Sequence, residues 1–380
     1  MMKVQAILNS LEKRVPRHLA ESWDNVGLMV GRRNMDVTGI LTVLDVTDAA
    51  IDEAIEKKCN LIISHHPLIF KGLKQVTSDS ALGRMVEKLI KHDIAVYSAH
   101  TNLDVATGGL NDLAASQLGL TQVTGLEMVS SEGLCKIACF VPDTHTEAVL
   151  KAMGDAGAGH IGNYSHCGFY SEGTGTFLPL DGAHPFIGEV GQIEQVKEHR
   201  VETIVPEALL SSVLRAMKEA HPYEEVAYDV YSLKEPAIVN TIGRQGVLEQ
   251  PVNLKGFMEL VEGAFPRGHV RYGGARVEKI KKIALCTGSG AEFIKAAAKN
   301  GADAYVTGDV KYHDMQLAKE LGIVVADVGH FGTEIGAAKL LADMVKEGLS
   351  DMVNDSKVDA DQTVPVLVGE TQEDFFFYNE

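Results

Sequence analysis

The chain has 380 residues, 45% of them hydrophobic and 23% charged, with a formal net charge of −17 at pH 7. That length exceeds what one core usually serves and predicts two or three domains. The acidity, with no Lys or Arg run against it, disfavours nucleic acid as a partner and suits cation binding, and no stretch reaches the ~20 apolar residues of a membrane span.

The N-terminal "MMKVQAILNSLEKRVP" is amphipathic and carries no signal-peptide core, and the five cysteines (Cys59, Cys135, Cys139, Cys167, Cys286) are scattered and odd in number. Both features predict a reducing, cytoplasmic setting without disulfides. Val4 to Val15 reads as a helix closed by Pro16. Ile40 to Val46 is an apolar strand, followed by a helix from Ala49 to Lys58 that Asp48 can cap. Leu61 to Ser64 and Ile94 to Ala99 are further buried strands, separated by a helix from Ser80 to His92. Gly108 to Leu118 is helical again.

From about Val129 to Leu233 the character changes. Strand (Cys135 to Val141), helix (Thr146 to Gly154), a turn-dense glycine-rich stretch, a strand near Thr203, helix (Glu207 to Ala220) and strand (Val226 to Tyr231) follow one another. Cys135 and Cys139 share one face of their strand and read as core residues. The earlier rhythm then returns: strand Lys282 to Cys286, helix Ala291 to Lys299, strand Ala304 to Thr307, helix Asp314 to Leu321, strand Ile323 to Ala326, helix Thr333 to Glu347, and a last strand at Val364 to Val368. The pattern predicts an α/β fold, a mostly parallel sheet sandwiched by helices. It is formed by 1–128 and 240–375, with a ferredoxin-like α+β domain inserted at 129–239.

In such a sheet, ligands bind beyond the carboxyl ends of the strands. "LIISHHPLIF" puts His65 and His66 there; "HTNLD" adds His100 and Asp104; "GDVKYHD" adds Asp309, His313 and Asp314; "DVGHFGTE" adds His330 and Glu334. Imidazole and carboxylate are the usual ligands of Zn, Fe, Mn and Co. Adjacent histidines in an extended loop diverge, so one pair could serve two ions about 3.5 Å apart. His18, His92, His145 and His199 read as solvated or hydrogen-bonded side chains. His313 fits a group behind the ligands, a proton shuttle or a helix-surface residue. Gly288, Ser289 and Gly290, between a strand and a helix, offer N–H groups as an anion seat. Trp23, the sole tryptophan, reads as a buried anchor for its loop, with Asp24 and Asn25 building a tight turn. His221, Glu224 and Glu225 read as a helix-to-strand turn with solvated acids rather than a second site.

Taken together, "ESWDNVGLMVG", "LIISHHPLIF", "YSAHTNLD", "GSG" before a helix, "VTGDVKYHD" and "DVGHFGTE" resemble, in this order, the NIF-three-like dinuclear-metal-centre proteins, often named GTP cyclohydrolase I type 2 homologues. The resemblance covers about 1–128 and 240–375. The middle segment, with "HPYEEVAYDV", is similar to the insert of longer bacterial members, a ferredoxin-like domain of the trimeric signalling and copper-tolerance type. The resemblance implies His65, His66, Asp104, His330 and Glu334 as ligands of two divalent ions per subunit (Zn, Fe or Mn), with His100 and Asp309 left over. It also implies a homohexamer with metal sites facing an internal cavity. Two expectations follow. One is a two-metal hydrolase of a nucleotide or other small anionic ligand, with GTP ring opening the suggested reaction, His313 shuttling protons and 288–290 holding a phosphate. The other is a non-catalytic, metal-binding regulatory or chaperone-like assembly whose insert senses a ligand.

Overall fold

Short β-branched and aliphatic runs set the strands, and polar caps set the helix starts. A computed structural model of the chain describes residues 2–354 and 364–378. Those residues form two compact units, Met1–Val129 with Asn240–Glu380, and Ser130–Val239.

The first unit opens with α1 (Val4–Arg14), β1 (Gly27–Val30), β2 (Ile40–Val43), α2 (Asp48–Glu56), β3 (Leu61–Ser64), α3 (Ala81–Lys91), β4 (Ala95–Ser98), α4 (Thr101–Val105), α5 (Leu110–Gln117) and β5 (Thr121–Glu132). The cap of α2 is Thr47, whose side chain accepts from the Ala50 N–H, and not Asp48, which is the first helical residue. A threonine in extended backbone reaches the third helical N–H, whereas a residue already inside the helix cannot. Ser80 caps α3 in the same way, through the Gly83 N–H.

The insert follows as β6 (Leu134–Pro142), α6 (Thr146–Asp155), β7 (Gly168–Phe177), β8 (Glu194–Pro206), α7 (Leu210–Ala220) and β9 (Tyr228–Ser232). Its antiparallel sheet runs β7-β8-β6-β9. With the two helices this is the ferredoxin-like arrangement. Cys135, Ile137, Cys139 and Val141 alternate along β6 into one core with Val149, Met153, Val213 and Met217 of the helices. β7 overturns the turn-dense reading of the glycine-rich stretch. Ten of its residues pair in unbroken register with β8, from Gly168 opposite Thr203 to Phe177 opposite Glu194. Cross-strand pairing outweighs the weak β-propensity of glycine there.

The first unit resumes with β10 (Ile238–Val252), α8 (Leu254–Ala264), β11 (Arg271–Gly274), β12 (Ile280–Leu285), α9 (Ile294–Lys299), β13 (Ala304–Thr307), α10 (Tyr312–Glu320), β14 (Val324–Asp327), α11 (His330–Glu334), α12 (Gly336–Asn354) and β15 (Val366–Val368). Where one helix from Thr333 to Glu347 was expected, the chain enters helix three residues earlier and makes two. His330 and Glu334 thereby stand one turn apart on α11.

This unit holds two sheets rather than one. The first runs β1-β4-β3-β2-β15, parallel except for β1, and the second β11-β14-β13-β12-β10-β5, with β12, β13 and β14 parallel. Separate apolar clusters cover the two faces of each sheet, so their parallel strands are buried along their whole length. Among the described residues, no helix is long and apolar enough to cross a membrane.

Candidate metal centre

Within each sheet of the first unit the parallel strands point one way, so the residues that follow them gather at that sheet's carboxyl edge, and side chains from both edges meet at Glu334. Asp45 follows β2, His65 and His66 follow β3, His100 and the α4 residue Asp104 follow β4, Asp309 follows β13, and α11 follows β14. Backbone hydrogen bonds set the first pair. The N–H groups of His65 and His66 donate to the carbonyls of Val43 and Leu44 at 3.1 and 2.9 Å, which fixes the chain as it leaves the sheet.

Each ring is oriented from its outer nitrogen. His65 Nδ1 donates to the Ala99 carbonyl at 2.9 Å, and His66 Nδ1 to Asp45 Oδ1 at 2.8 Å. His100 Nδ1 donates to Asp24 Oδ1 at 2.9 Å, and His330 Nδ1 to Asp309 Oδ2 at 2.8 Å. Carbonyls and carboxylates only accept, so every one of these Nδ1 atoms carries a hydrogen, and Nε2 is the end left for the site. Asp309 reaches its ring from a left-handed backbone, φ +57°, which Asp tolerates better than most residues.

The inner nitrogens converge on Glu334. Its Oε2 lies 2.8 Å from His66 Nε2 and 3.0 Å from His330 Nε2, while Oε1 lies 3.7 Å from His65 Nε2. Asp104 Oδ1 stands 3.9 Å from His65 Nε2 on the other side. Among the described residues, potential ligand atoms fall within 4.8 Å of one another in three trios: His66, His330 and Glu334; His65, Asp104 and Glu334; and His65, His66 and His100. Gly288 makes room for this. Its φ is +65°, and a Cβ there would collide with Glu334 Oε1.

Burial disfavours charge on these rings, but the carboxylates around them prevail. His66, bonded to Asp45 and Glu334, is raised to about 10, and His330, bonded to Glu334 and Asp309, to about 9. Burial pushes Asp104 up to about 6 against the pull of His65. Burial also opposes ionisation of Glu334, yet His330 and His65 hold it well below the carboxylate range. Protons thus occupy the positions that a cation would take, and cation binding would release them.

The donor set fits a divalent cation on two counts. His65 Nε2 is fully buried and, among the described residues, has no hydrogen-bond partner, a deficit of about 1–3 kcal/mol that coordination removes. Three of the rings are also backed by carboxylates, the arrangement that orients metal-binding imidazoles.

Two cavities open onto the cluster. One, of about 450 Å³, is walled by Trp23, Phe70, Phe293 and Thr287 and reaches His66, Asp104 and Glu334. Trp23 is not the buried anchor expected of it. It is 59% exposed, packed edge-on to His100 with ring centroids 6.2 Å apart and against Phe70 at 5.9 Å. Asp24 does bond the Asn25 N–H at 2.7 Å, as a turn-former would, but its main partners are His100 and Thr101. The second cavity, about 590 Å³, lies between His66, His330, His269, Arg271, Phe376 and Tyr378.

The structure brings together His65, His66, Asp104, His330 and Glu334, and adds His100 at their edge. It leaves His313 outside. That ring is on the exposed face of α10, 3.4 Å from Gln316 Oε1, and lines neither cavity. The anion seat at 288–290 is largely spent within the fold. Gly288 N–H donates to Thr333 Oγ1 at 2.9 Å and Gly290 N–H to Thr307 Oγ1 at 3.1 Å, while Ser289 borders the smaller cavity. Asp45 was missed. The sequence reads it as part of the strand Ile40 to Val46, whereas β2 ends at Val43 and the adjacency of β2 and β3 turns Asp45 toward His66.

A family model, Duf34/NIF3 (NGG1p interacting factor 3), matches residues 2–362. The chain is 44% identical over 374 residues to the Bacillus subtilis "GTP cyclohydrolase 1 type 2 homolog", covering 98% of each, and 43% identical over 357 residues to the Halalkalibacterium halodurans protein of the same name, covering 94% of this chain and 95% of that one. Among solved structures, a Bacillus cereus protein related to NIF3 superposes with a TM-score of 0.85 at 43% identity, covering 100% of this chain and 99% of the other. The chain therefore belongs to the Duf34/NIF3 family.

Proposed function

We propose that His65, His66, Asp104, His330 and Glu334 hold two divalent cations, and that the chain is a metal-dependent hydrolase of a nucleotide or similar small anion. The names of the relatives point to GTP as the first substrate to try. One observation carries the reading: Glu334 faces His66 and His330 with one oxygen and His65 with the other, so a single carboxylate serves two ligand sets. Bound there, divalent cations supply Lewis acidity and lower the pKa of water toward ~7.

The remaining work falls to the chain's own groups. Asp45 and Asp309 hold the rings of His66 and His330 in register. Trp23 and Phe70 offer an aromatic wall to a planar substrate and keep water from that side. Arg271 lines the second cavity, but its guanidinium is paired there with Asp327 and the Val310 carbonyl, so it steadies that wall. We further propose assembly as a homohexamer, which the family resemblance supports.

Metal analysis of purified protein, followed by incubation of the loaded protein with GTP and a panel of phosphoesters, tests the reading. Two ions per chain and a product lost in His65→Ala are expected. One ion or none would overturn the dinuclear centre. A second reading, a metal-binding regulatory or chaperone-like hexamer without turnover, is favoured by the position of His313 and the engaged N–H groups of Gly288 and Gly290. Two ions bound with no product across the panel would select it.

A further inference from the structure

The sheet of the insert has two unlike faces. Its helices cover the face of Cys139 and Val201. Residues of opposite parity point away from them: Phe140 on β6, Glu198 and Arg200 on β8, and Gly173 and Gly175 on β7. Over this second face the 178–193 connection folds back and the turn after α7 closes in, leaving a cavity of about 680 Å³. His184 N–H donates to Glu224 Oε1 at 2.8 Å and ties the connection to that turn. Phe177 and Phe186 pack around Tyr223 with ring centroids 5.9 and 6.3 Å away, and with Phe140 they make the walls aromatic.

A carboxylate lies on the floor. Glu198 is only 6% exposed, and its Oε1 accepts from Tyr223 Oη at 2.9 Å. Among the described residues, Oε2 accepts no hydrogen bond and no Lys, Arg or His nitrogen pairs with Glu198. The nearest candidate by position, Arg200, also lines the cavity, but its charge is bound to Glu202 at 2.9 Å. Gly175 makes room for the carboxylate itself, since a Cβ there would collide with Glu198 Oε2, and beside it the Cβ position of Gly173 meets nothing within 4 Å. A buried carboxylate with one neutral donor lacks the counter-charge that burial calls for. The glycines leave that oxygen reachable, and Glu224 and Glu225 add negative charge at the rim.

We propose that this cavity binds a small molecule made of a flat apolar body and a protonated amine, the ring held between Phe140, Phe186 and Tyr223 and the ammonium on Glu198. The volume lies in the range of small-molecule sites, aromatic walls suit a ring and a cation together, and the carboxylate sets the sign of the charge. The proposal is independent of the metal centre, because its readout is binding to the insert and not turnover.

The test uses the full-length protein and three probes of one shape: tryptamine, neutral tryptophol and anionic indolepropionate. Calorimetry should show saturable binding of tryptamine and weaker binding of the other two. Glu198→Gln should weaken tryptamine about ten- to hundredfold, the scale of one charge-assisted hydrogen bond, and leave tryptophol unchanged. Phe186→Ala, on an exposed loop where folding is not at stake, should weaken all three. No saturation by tryptamine, equal binding of all three probes, or a folded Glu198→Gln protein that keeps the preference for the amine would each overturn the proposal.

Discussion

Two buried carboxylates, Glu334 in the first unit and Glu198 in the insert, are treated in opposite ways. Glu334 is ringed by the Nε2 atoms of His65, His66 and His330, three nitrogens that can each exchange a proton for a cation. Glu198 has one phenol and an open oxygen. A third, Glu53, is satisfied by the chain itself. It accepts from the N–H groups of Glu370 and Thr371, from Thr371 Oγ1 and from Lys57 Nζ, pinning the C-terminal segment to α2. The comparison teaches that burial alone does not mark a site. What a buried carboxylate awaits depends on what surrounds it: several convergent Lewis bases, an empty aromatic cavity, or a complete set of donors.

The largest effect that would break this comparison is expected at Glu334. Glu334→Gln should lower metal affinity by more than about 100-fold, beyond the range of changes behind the ligands, while the circular dichroism spectrum stays native. Unchanged metal content by mass analysis would place Glu334 with Glu53 as a merely structural acid. Asp45→Asn should follow, at about 10- to 100-fold in metal affinity, because the amide no longer holds His66 Nδ1–H as a charged acceptor. An affinity equal to wild type would mean that the ring is positioned without it.

Glu53 sharpens the contrast through stability. Burial raises its pKa, but Lys57 and the 370–371 donors leave it lowered. A depressed folded-state pKa stabilises above the unfolded value of ~4.3, and that stability is lost as pH falls through the folded value. Glu53→Gln should therefore cost about 1–3 kcal/mol at neutral pH. The gap from wild type should close in urea titrations run in strong acid, and a gap that persisted there would refute the charge as its source. The smallest effect belongs to His313→Ala. It should leave metal content unchanged and stability within about 0.5 kcal/mol, as for an exposed helix residue; loss of metal would return His313 to the centre.

Legibility followed locality. The strand-end histidines stood out because nearly pure apolar runs precede them, and period and turn chemistry are written in neighbouring residues. Trp23 misled because a lone tryptophan usually packs inward, while here it walls a cavity beside His100. Nearness in sequence to Asp309 says nothing about helical phase on α10, so the sequence leaves three readings of His313 open, and its exposed position matches the helix-surface one. β7 was hidden because sixteen residues separate it from its partner strand, and pairing energy is invisible before the partner is placed.

By itself, the sequence determined the alternation of strands and helices and the residue types gathered at the strand ends, since both depend on local pattern and side-chain chemistry. Only the tertiary structure decided which of those groups meet. His66 finds Glu334 across 268 positions, and Glu198 finds one phenol and an open face. Convergence is a property of strand order and backbone exit direction, and long-range packing alone sets both.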